Sequence, residues 1–281
     1  MHTTYSDGAS EVEALVQQAI ACGLDAIAIT DHDTTASYPF AVEAAKAVEG
    51  ANIEIIPGIE INTHWEGTEV HVLGYYIDPD DERIQEVNNK HRIARIEQIQ
   101  EIAELLQKKA KLNITFEDIA AFSRKEGVLG RPHVAQAIVQ KGGAGNISGA
   151  FDKYLNHRAE TYLKRNTVSP HEAVEAIYES GGVAVIAHPR EMPMIEDLVI
   201  DLMNYGLKGL EAYHKSHTPA MIEFHCTLAE KYGLIVTGGT DFHGLQDVYP
   251  TTLSRLKMPD WVHEKLKREH QHIKLSNFKA S

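Results

Sequence analysis

Apolar and polar positions change period repeatedly along the chain. Residues 11–22 carry apolar side chains at helical spacing and stop at Gly23, which predicts a first helix. The run 25–30 (DAIAIT) is short, apolar and of strand length. Residues 38–48 return to helical spacing and end near Gly50. Segments 53–56, 59–62 and 69–76 are rich in Ile, Val and Tyr and predict strands. From 82 to 111 the sequence is long, charged and helix-forming, and shorter helices are predicted over 113–126, 131–140 and 147–155. No strand is predicted between 78 and 160. Alternation then resumes: helix 171–180, strand 182–187 (GVAVIA), helix 194–205, strand 209–213, helix 219–232 and strand 234–238 (LIVTG). Strands alternating with helices imply parallel βα units. Residues 1–80 and 161–281 then form one α/β unit, and 81–160 a helical insertion.

Composition narrows the partners. The 281 residues suit one large domain carrying a smaller insertion. With 27 Lys+Arg against 40 Asp+Glu, the formal charge is -13. That excludes a general electrostatic footprint for long nucleic acid. A short anionic substrate remains open if metal ions reverse the charge locally. The two cysteines, Cys22 and Cys226, form no CxxC pair, which argues against a disulfide framework or a thiolate zinc site. Both are read as packed on helices. This usage, with no leader and no apolar run of membrane-span length, predicts a cytoplasmic protein without a membrane partner.

The candidate chemistry sits where predicted strands end. Thr30-Asp31-His32-Asp33 follows the first strand, Glu60 and His71 lie in the next group, and His188-Pro189 follows GVAVIA. Glu211 to His214 closes one strand and Asp241-Phe242-His243 follows the last, while His2 to Gly8 precedes the first helix. Parallel barrels build their sites at that end of the strands. Imidazole with carboxylate suits Zn, Mn or Fe, and Glu60 could bridge two ions. Clustered ions acidify a bound water and neutralise phosphoryl oxygens. Read alone, each residue has a plainer role: Asp31 or Asp33 as a helix cap, His71 as a core histidine, Arg131 as a solvated helix start. Of the 16 histidines, 64, 91, 157, 171, 225, 263, 270 and 272 are read as surface residues.

The motifs together resemble the PHP (polymerase and histidinol phosphatase) family. They are His-Thr-x-x-Ser-Asp-Gly (2–8), Thr-Asp-His-Asp (30–33), Gly-Ile-Glu (58–60), His-Val-Leu-Gly-Tyr (71–75), Ala-His-Pro (187–189) and Gly-Thr-Asp-Phe-His-Gly (239–244). Within the family the chain is similar to the TrpH-like phosphoesterase branch, whose members act on nucleoside 3′,5′-bisphosphates or trim short RNA from the 5′ end. The resemblance implies a distorted (β/α)7 barrel with an inserted small helical domain acting as a lid. It implies two or three divalent ions: one on His2, Glu60 and Asp241, one on Glu60, His71 and His188, and one on Asp7, His32 and His243. Arg131 and His133 in Gly-Arg-Pro-His resemble a phosphate-contacting segment, and Lys164 and His217 are further substrate-contact candidates. Arg131 would balance phosphoryl charge and His217 would protonate the leaving oxygen.

The family opens with Asp-Leu-His-x-His, and here Met1-His2 stand at its end. The resemblance therefore implies one missing ligand, replaced by the α-amine or by water, and higher activity or metal content once Asp-Leu-His is restored upstream. The expected function is metal-dependent hydrolysis of a phosphomonoester on a small nucleotide or short 5′-phosphorylated oligonucleotide. The rivals are a histidinol-phosphate-type phosphatase, a metal-dependent amidohydrolase and a catalytically impaired metal-binding module.

Overall fold

The run DAIAIT forms β1 (Ala26–Ile29), and the next strand, β2 (Glu54–Trp65), takes in both 53–56 and 59–62. A computed structural model describes residues 1–281 except 125, 166–167, 245–252, 254–255, 257 and 281, and the side chains of 277–280. Two expected strands merge because β2 changes partner part-way. Residues 54–57 pair in parallel with β1, and Gly58 onward pairs with β3 (Thr68–Tyr75). Pro57, which has no N–H to give a ladder, stands at the handover. A Cβ on Gly58 would lie 2.9 Å from the Ile29 carbonyl oxygen, so the close passage of β1 calls for glycine there.

The expected parallel pairing is interrupted at β3. Glu66 and Gly67 both take positive φ (46° and 85°), which makes the two-residue turn that matches strand twist. β3 is therefore antiparallel to β2 and to β4 (Val183–Ile186), and parallel pairing resumes with β5 (Leu207–His214) and β6 (Ile235–Gly239). The strands hydrogen-bond in chain order into one curled six-stranded sheet, a half-barrel within a mixed α/β fold.

Helices α1 (Val12–Ala21) and α2 (Tyr38–Lys46) flank the β1 end. The long α3 (Glu82–Lys108) leads into α4 (Phe116–Ala120), α5 (Arg131–Gln140) and α6 (Ile147–Ala150), which runs into a π-helical turn at Phe151–Leu155. Among the described residues no strand falls between β3 and β4, and α3 to the π turn have their own core of Ile99, Ile102, Leu106, Ile114, Ile119, Ile138 and Leu155. Beyond it come α7 (Pro170–Glu179), α8 (Ile195–Met203) and α9 (Pro219–Lys231). The last helix, α10 (Trp261–Ala280), is not among the predicted elements, because among its described side chains only Val262, Leu266 and Ile273 mark a buried stripe.

Alternation places the chemistry. Ile59, Ile61, Val70 and Val72 turn outward into the core beneath α7 and α8, with Ile177, Ile186 and Leu198. Glu60, Asn62, His71 and Leu73 therefore share the other, inner face, where Asn62 lies opposite His71. β4 is buried on both faces, with Val183 and Val185 meeting Leu266 of α10, so it reads as an unbroken apolar run. No described helix is long and apolar enough to cross a membrane.

Candidate metal centre

The N-terminal residues bridge the open side of the sheet. The Met1 carbonyl accepts from Thr30 N at 2.9 Å, and His2 N donates to the Phe242 carbonyl at 2.8 Å. Residues 1 and 2 thus tie the end of β1 to the segment after β6. The carboxylate of Asp31 then folds the 3–6 turn: it accepts from Thr3 N (2.7 Å), Thr3 Oγ1 (2.7 Å) and Ser6 Oγ (2.6 Å). A Cβ on Gly8 would lie 2.3 Å from the His2 carbonyl oxygen. Gly8→Ala must therefore push His2 out of place. Mn²⁺ affinity is expected to fall by roughly tenfold or more, since 1.4 kcal/mol of misplacement suffices; competition with a metal-sensitive dye reads it, and unchanged affinity refutes it.

Around His2 the predicted residues converge. His2 Nε2 lies 3.1 Å from Glu60 Oε2 and 3.2 Å from Asp241 Oδ1. Glu60 Oε1 also meets His71 Nδ1 at 2.5 Å and His188 Nε2 at 3.1 Å, so one carboxylate touches three imidazoles. Asp7 sits 3.3 Å from His243 Nε2 and 3.8 Å from His32 Nε2. Ligand atoms of three sets lie within 4.8 Å of one another: His2, Asp7, His32 and His243; His32, Glu60 and His71; and His2, Glu60 and Asp241. The first and third match two expected sets, the first with His2 added. In the middle set His32 stands where His188 was expected, and His188 still contacts Glu60.

The centre is strained and electrostatically unfinished. Asp33, His188 and Asp241 all have positive φ (55°, 24° and 46°), a cost that the surroundings must impose. Burial works against a proton on His2, yet the carboxylates of Asp241 and Glu60 outweigh it and hold the imidazole up to about 10. His71 behaves alike: burial opposes and Glu60 and Glu69 prevail, again giving about 10. His32 is pushed down to about 4 by burial. Despite burial, Asp7, Glu60 and Asp241 are all held below the usual carboxylate range by the surrounding imidazoles. His2 Nε2, Asp7 Oδ1 and His32 Nδ1 are buried without a well-aligned hydrogen bond among the described residues. Three anionic carboxylates, interleaved imidazoles and orphaned donor atoms fit a cluster of divalent cations.

The profile of the PHP domain matches residues 1–179. The chain belongs to the PHP domain family. It is 32% identical over 246 residues to the 5′-3′ exoribonuclease Rnm of Escherichia coli, covering 86% of this chain and 83% of that one. It is 29% identical over 246 residues to a 3′,5′-nucleoside bisphosphate phosphatase of Chromobacterium violaceum, covering 86% and 85%. A solved structure described as a metal-dependent phosphoesterase of Bifidobacterium adolescentis superposes with a TM-score of 0.85 at 31% identity, over 94% of this chain and 93% of that one. These likenesses bear out the PHP resemblance and the expected reaction class, metal-dependent phosphoester hydrolysis.

The PHP centre opens into a cavity of about 250 Å³. Of the four expected substrate contacts, Arg131 lines it, together with Asn62, His64, Glu69, Tyr162 and Arg165. Two of the others, His133 and His217, have protein partners of their own. His133 Nδ1 accepts from Gly130 N at 3.0 Å, a local cap. Lys164 is exposed. His217 Nδ1 donates to the Ala212 carbonyl at 2.8 Å and its Nε2 accepts from Arg190 N at 3.2 Å, which leaves no ring nitrogen for a leaving group. Two histidines read as surface residues are buried: His91, beside Asp33, and His225.

Several site residues were not assigned a role from sequence. Lys215 Nζ donates to the Asp241 carbonyl at 2.6 Å and lies 3.2 Å from its carboxylate, pinning a strained residue. Glu211 accepts from His188 N at 2.8 Å, and burial raises its carboxyl to about 7. Asp33, Arg95 and Arg165 form a buried charge cluster beside the cavity. Arg95 carried a readable signal: His91, Arg95 and Gln98 occupy core-spaced positions on α3 where an ordinary helix has apolar residues.

Proposed function

We propose that the chain hydrolyses a phosphomonoester of a small nucleotide, such as a nucleoside 3′,5′-bisphosphate, or trims a short 5′-phosphorylated oligonucleotide. The observation that carries this is the convergence of Asp7, Glu60 and Asp241 with five imidazoles at one cavity. His2, Asp7, His32, Glu60, His71, His188, Asp241 and His243 would hold two or three ions, Mn, Zn or Fe. Such ions supply an acidified water and neutralise phosphoryl charge. Glu60 keeps His2, His71 and His188 oriented, Lys215 holds Asp241, and Arg131 at the cavity wall binds a phosphoryl oxygen. In this reading residues 1–80 and 161–281 are the barrel, with seven strands in the family pattern, and 81–160 are a helical lid. The chromobacterial relative's name supports the small substrate, and the enterobacterial relative's name the oligonucleotide. The charge of -13 favours the small molecule.

The test is phosphate release from adenosine 3′,5′-bisphosphate in Mn²⁺ against an EDTA-treated control. Metal-dependent release of one phosphate supports the reading, and turnover that survives EDTA sinks it. Metal uptake should also depend on pH. Without ions His2 and His71 keep protons up to about pH 10. Cations must displace those protons, so affinity rises as pH rises and uptake acidifies an unbuffered solution. A stopped-flow indicator dye checks this, and proton-neutral uptake at pH 7 contradicts it.

A further inference from the structure

Residues two apart on a strand share a face, so Glu69 and His71 of β3 both look into the cavity, opposite His64 and Asn62 of β2. His71 has a neighbour at each ring nitrogen. Nδ1 meets Glu60, the carboxylate common to two ligand sets. Around Nε2 stand Asn62 Nδ2 at 3.0 Å and Glu69 Oε1 at 3.4 Å. A neutral imidazole that gives its Nδ1 lone pair to a cation keeps its proton on Nε2, and that proton needs an acceptor. The Asn62 N–H₂ is a donor and cannot supply one; it donates to the same Glu69 Oε1 at 3.4 Å, while Asn62 Oδ1 lies 3.5 Å from Arg95 Nη2. Glu69 is left as the acceptor that fixes the His71 ring.

The second oxygen of Glu69 has a different neighbour. Its Oε2 lies 3.7 Å from Nη2 of Arg131, a cavity-lining residue whose one ion partner among the described residues is Glu69. One exposed carboxylate thus stands between a metal ligand and a guanidinium of the cavity wall. Its two contacts compete: charge drawn to Arg131 serves His71 less, and it occupies the guanidinium that an incoming anion would use. We propose that Glu69 is a positioning residue that couples the two halves of the site, fixing His71 for the ion and yielding Arg131 to an anion. An anion on Arg131 releases Glu69 to His71, so ion and anion each bind more tightly in the other's presence, by the same factor. This rests on the phosphoesterase reading for the nature of ion and anion, and names the residue through which one acts on the other.

The experiment measures binding without turnover in wild type, Glu69→Gln, Arg131→Gln and the double variant. Mn²⁺ affinity is read by competition with a metal-sensitive dye, with and without sodium sulfate at constant ionic strength. Sulfate affinity of EDTA-treated protein is read by calorimetry, and a thermal melt checks folding. In E69Q, Mn²⁺ affinity should fall about tenfold, as for loss of an outer partner of a metal-bound imidazole. Sulfate affinity of the metal-free protein should rise about threefold, a small factor because the Glu69–Arg131 pair is exposed. The rise should vanish when E69Q is made in the R131Q background. Sulfate should strengthen Mn²⁺ binding about threefold more in wild type than in E69Q. A merely structural Glu69 would weaken both ligands together. Mn²⁺ affinity within twofold of wild type, weaker or unchanged sulfate binding, a rise that persists without Arg131, or equal coupling would each overturn the proposal. If E69Q does not fold, Glu69→Asp decides: it keeps the charge but is one methylene too short to serve both partners, so its coupling should also fall, and undiminished coupling refutes Glu69. The phosphoesterase reading is judged apart. Coupling that is lost in E69Q while wild type releases no phosphate sustains Glu69 and sinks that reading, and phosphate release with unchanged E69Q binding does the reverse.

Discussion

Glu60→Gln should lower metal-dependent phosphate release by about a thousandfold, the scale seen when charge stabilisation at a reacting phosphoryl group is removed. Gln keeps the shape and removes the charge. Glu60 is the one carboxylate touching His2, His71 and His188, at 3.1, 2.5 and 3.1 Å. It is also common to two of the three candidate ligand sets. An amide oxygen binds a divalent cation more weakly than a carboxylate, and the amide N–H₂ offers no acceptor to an imidazole. Occupancy and orientation therefore fail together. Asp7 and His243 do not touch Glu60, so a residual ion at that end should remain. Elemental analysis of metal per chain beside the phosphate assay reads both effects; a variant that keeps full metal content and turns over within tenfold of wild type would remove Glu60 from the centre.

The second large effect is on stability. Asp33→Ala should destabilise the fold by about 3–5 kcal/mol, the cost of leaving a buried charge partner uncompensated. Arg95, His91 and Arg165 all face this carboxylate, which is itself 0% exposed. Alanine also fits poorly at φ 55°, where Asp is tolerated. Urea denaturation measures the loss, and a change below about 1 kcal/mol would contradict it. The sign with pH follows. Burial opposes the Asp33 anion, but Arg95, His91 and Arg165 outweigh it and hold its carboxyl well below the usual range. Its contribution is thus complete at neutral pH and is lost as pH falls below about 4.

Much of this centre was legible because chemistry and folding mark the same positions. His32, His188 and Asp241 each follow an apolar run, and a strand end is a place where a polar residue can face a cavity. The hairpin was harder. Glu66-Gly67 is a weak turn signal, and only its pair of positive φ values reverses β3. Lys164 and Arg165 are neighbours outside any described helix or strand, where no period says which one turns inward. Arg165 lines the cavity and Lys164 is exposed. For His217 the limit is related: sequence supplies an imidazole but not the carbonyl of Ala212 and the amide of Arg190 that hydrogen-bond to it. Buried His91 and His225 were hidden because burial of a polar residue depends on partners distant in the chain.

Asp33 has one more consequence, for motion. Its carboxylate accepts the amide of Asn62 in β2 and the guanidinium of Arg95 in α3, and its own amide donates to the Glu60 carbonyl. Arg95 also donates to the Leu129 carbonyl just before α5. Undocking α3 therefore takes the guanidinium partner from the carboxylate that accepts a β2 amide beside the metal ligands. In hydrogen exchange the amides of Asn62 and Asp33 should open together with the middle of α3, as one cooperative unit, and not with the other strands of the sheet. A loss of grip by the helical segment and a loosening of the metal centre are then a single event.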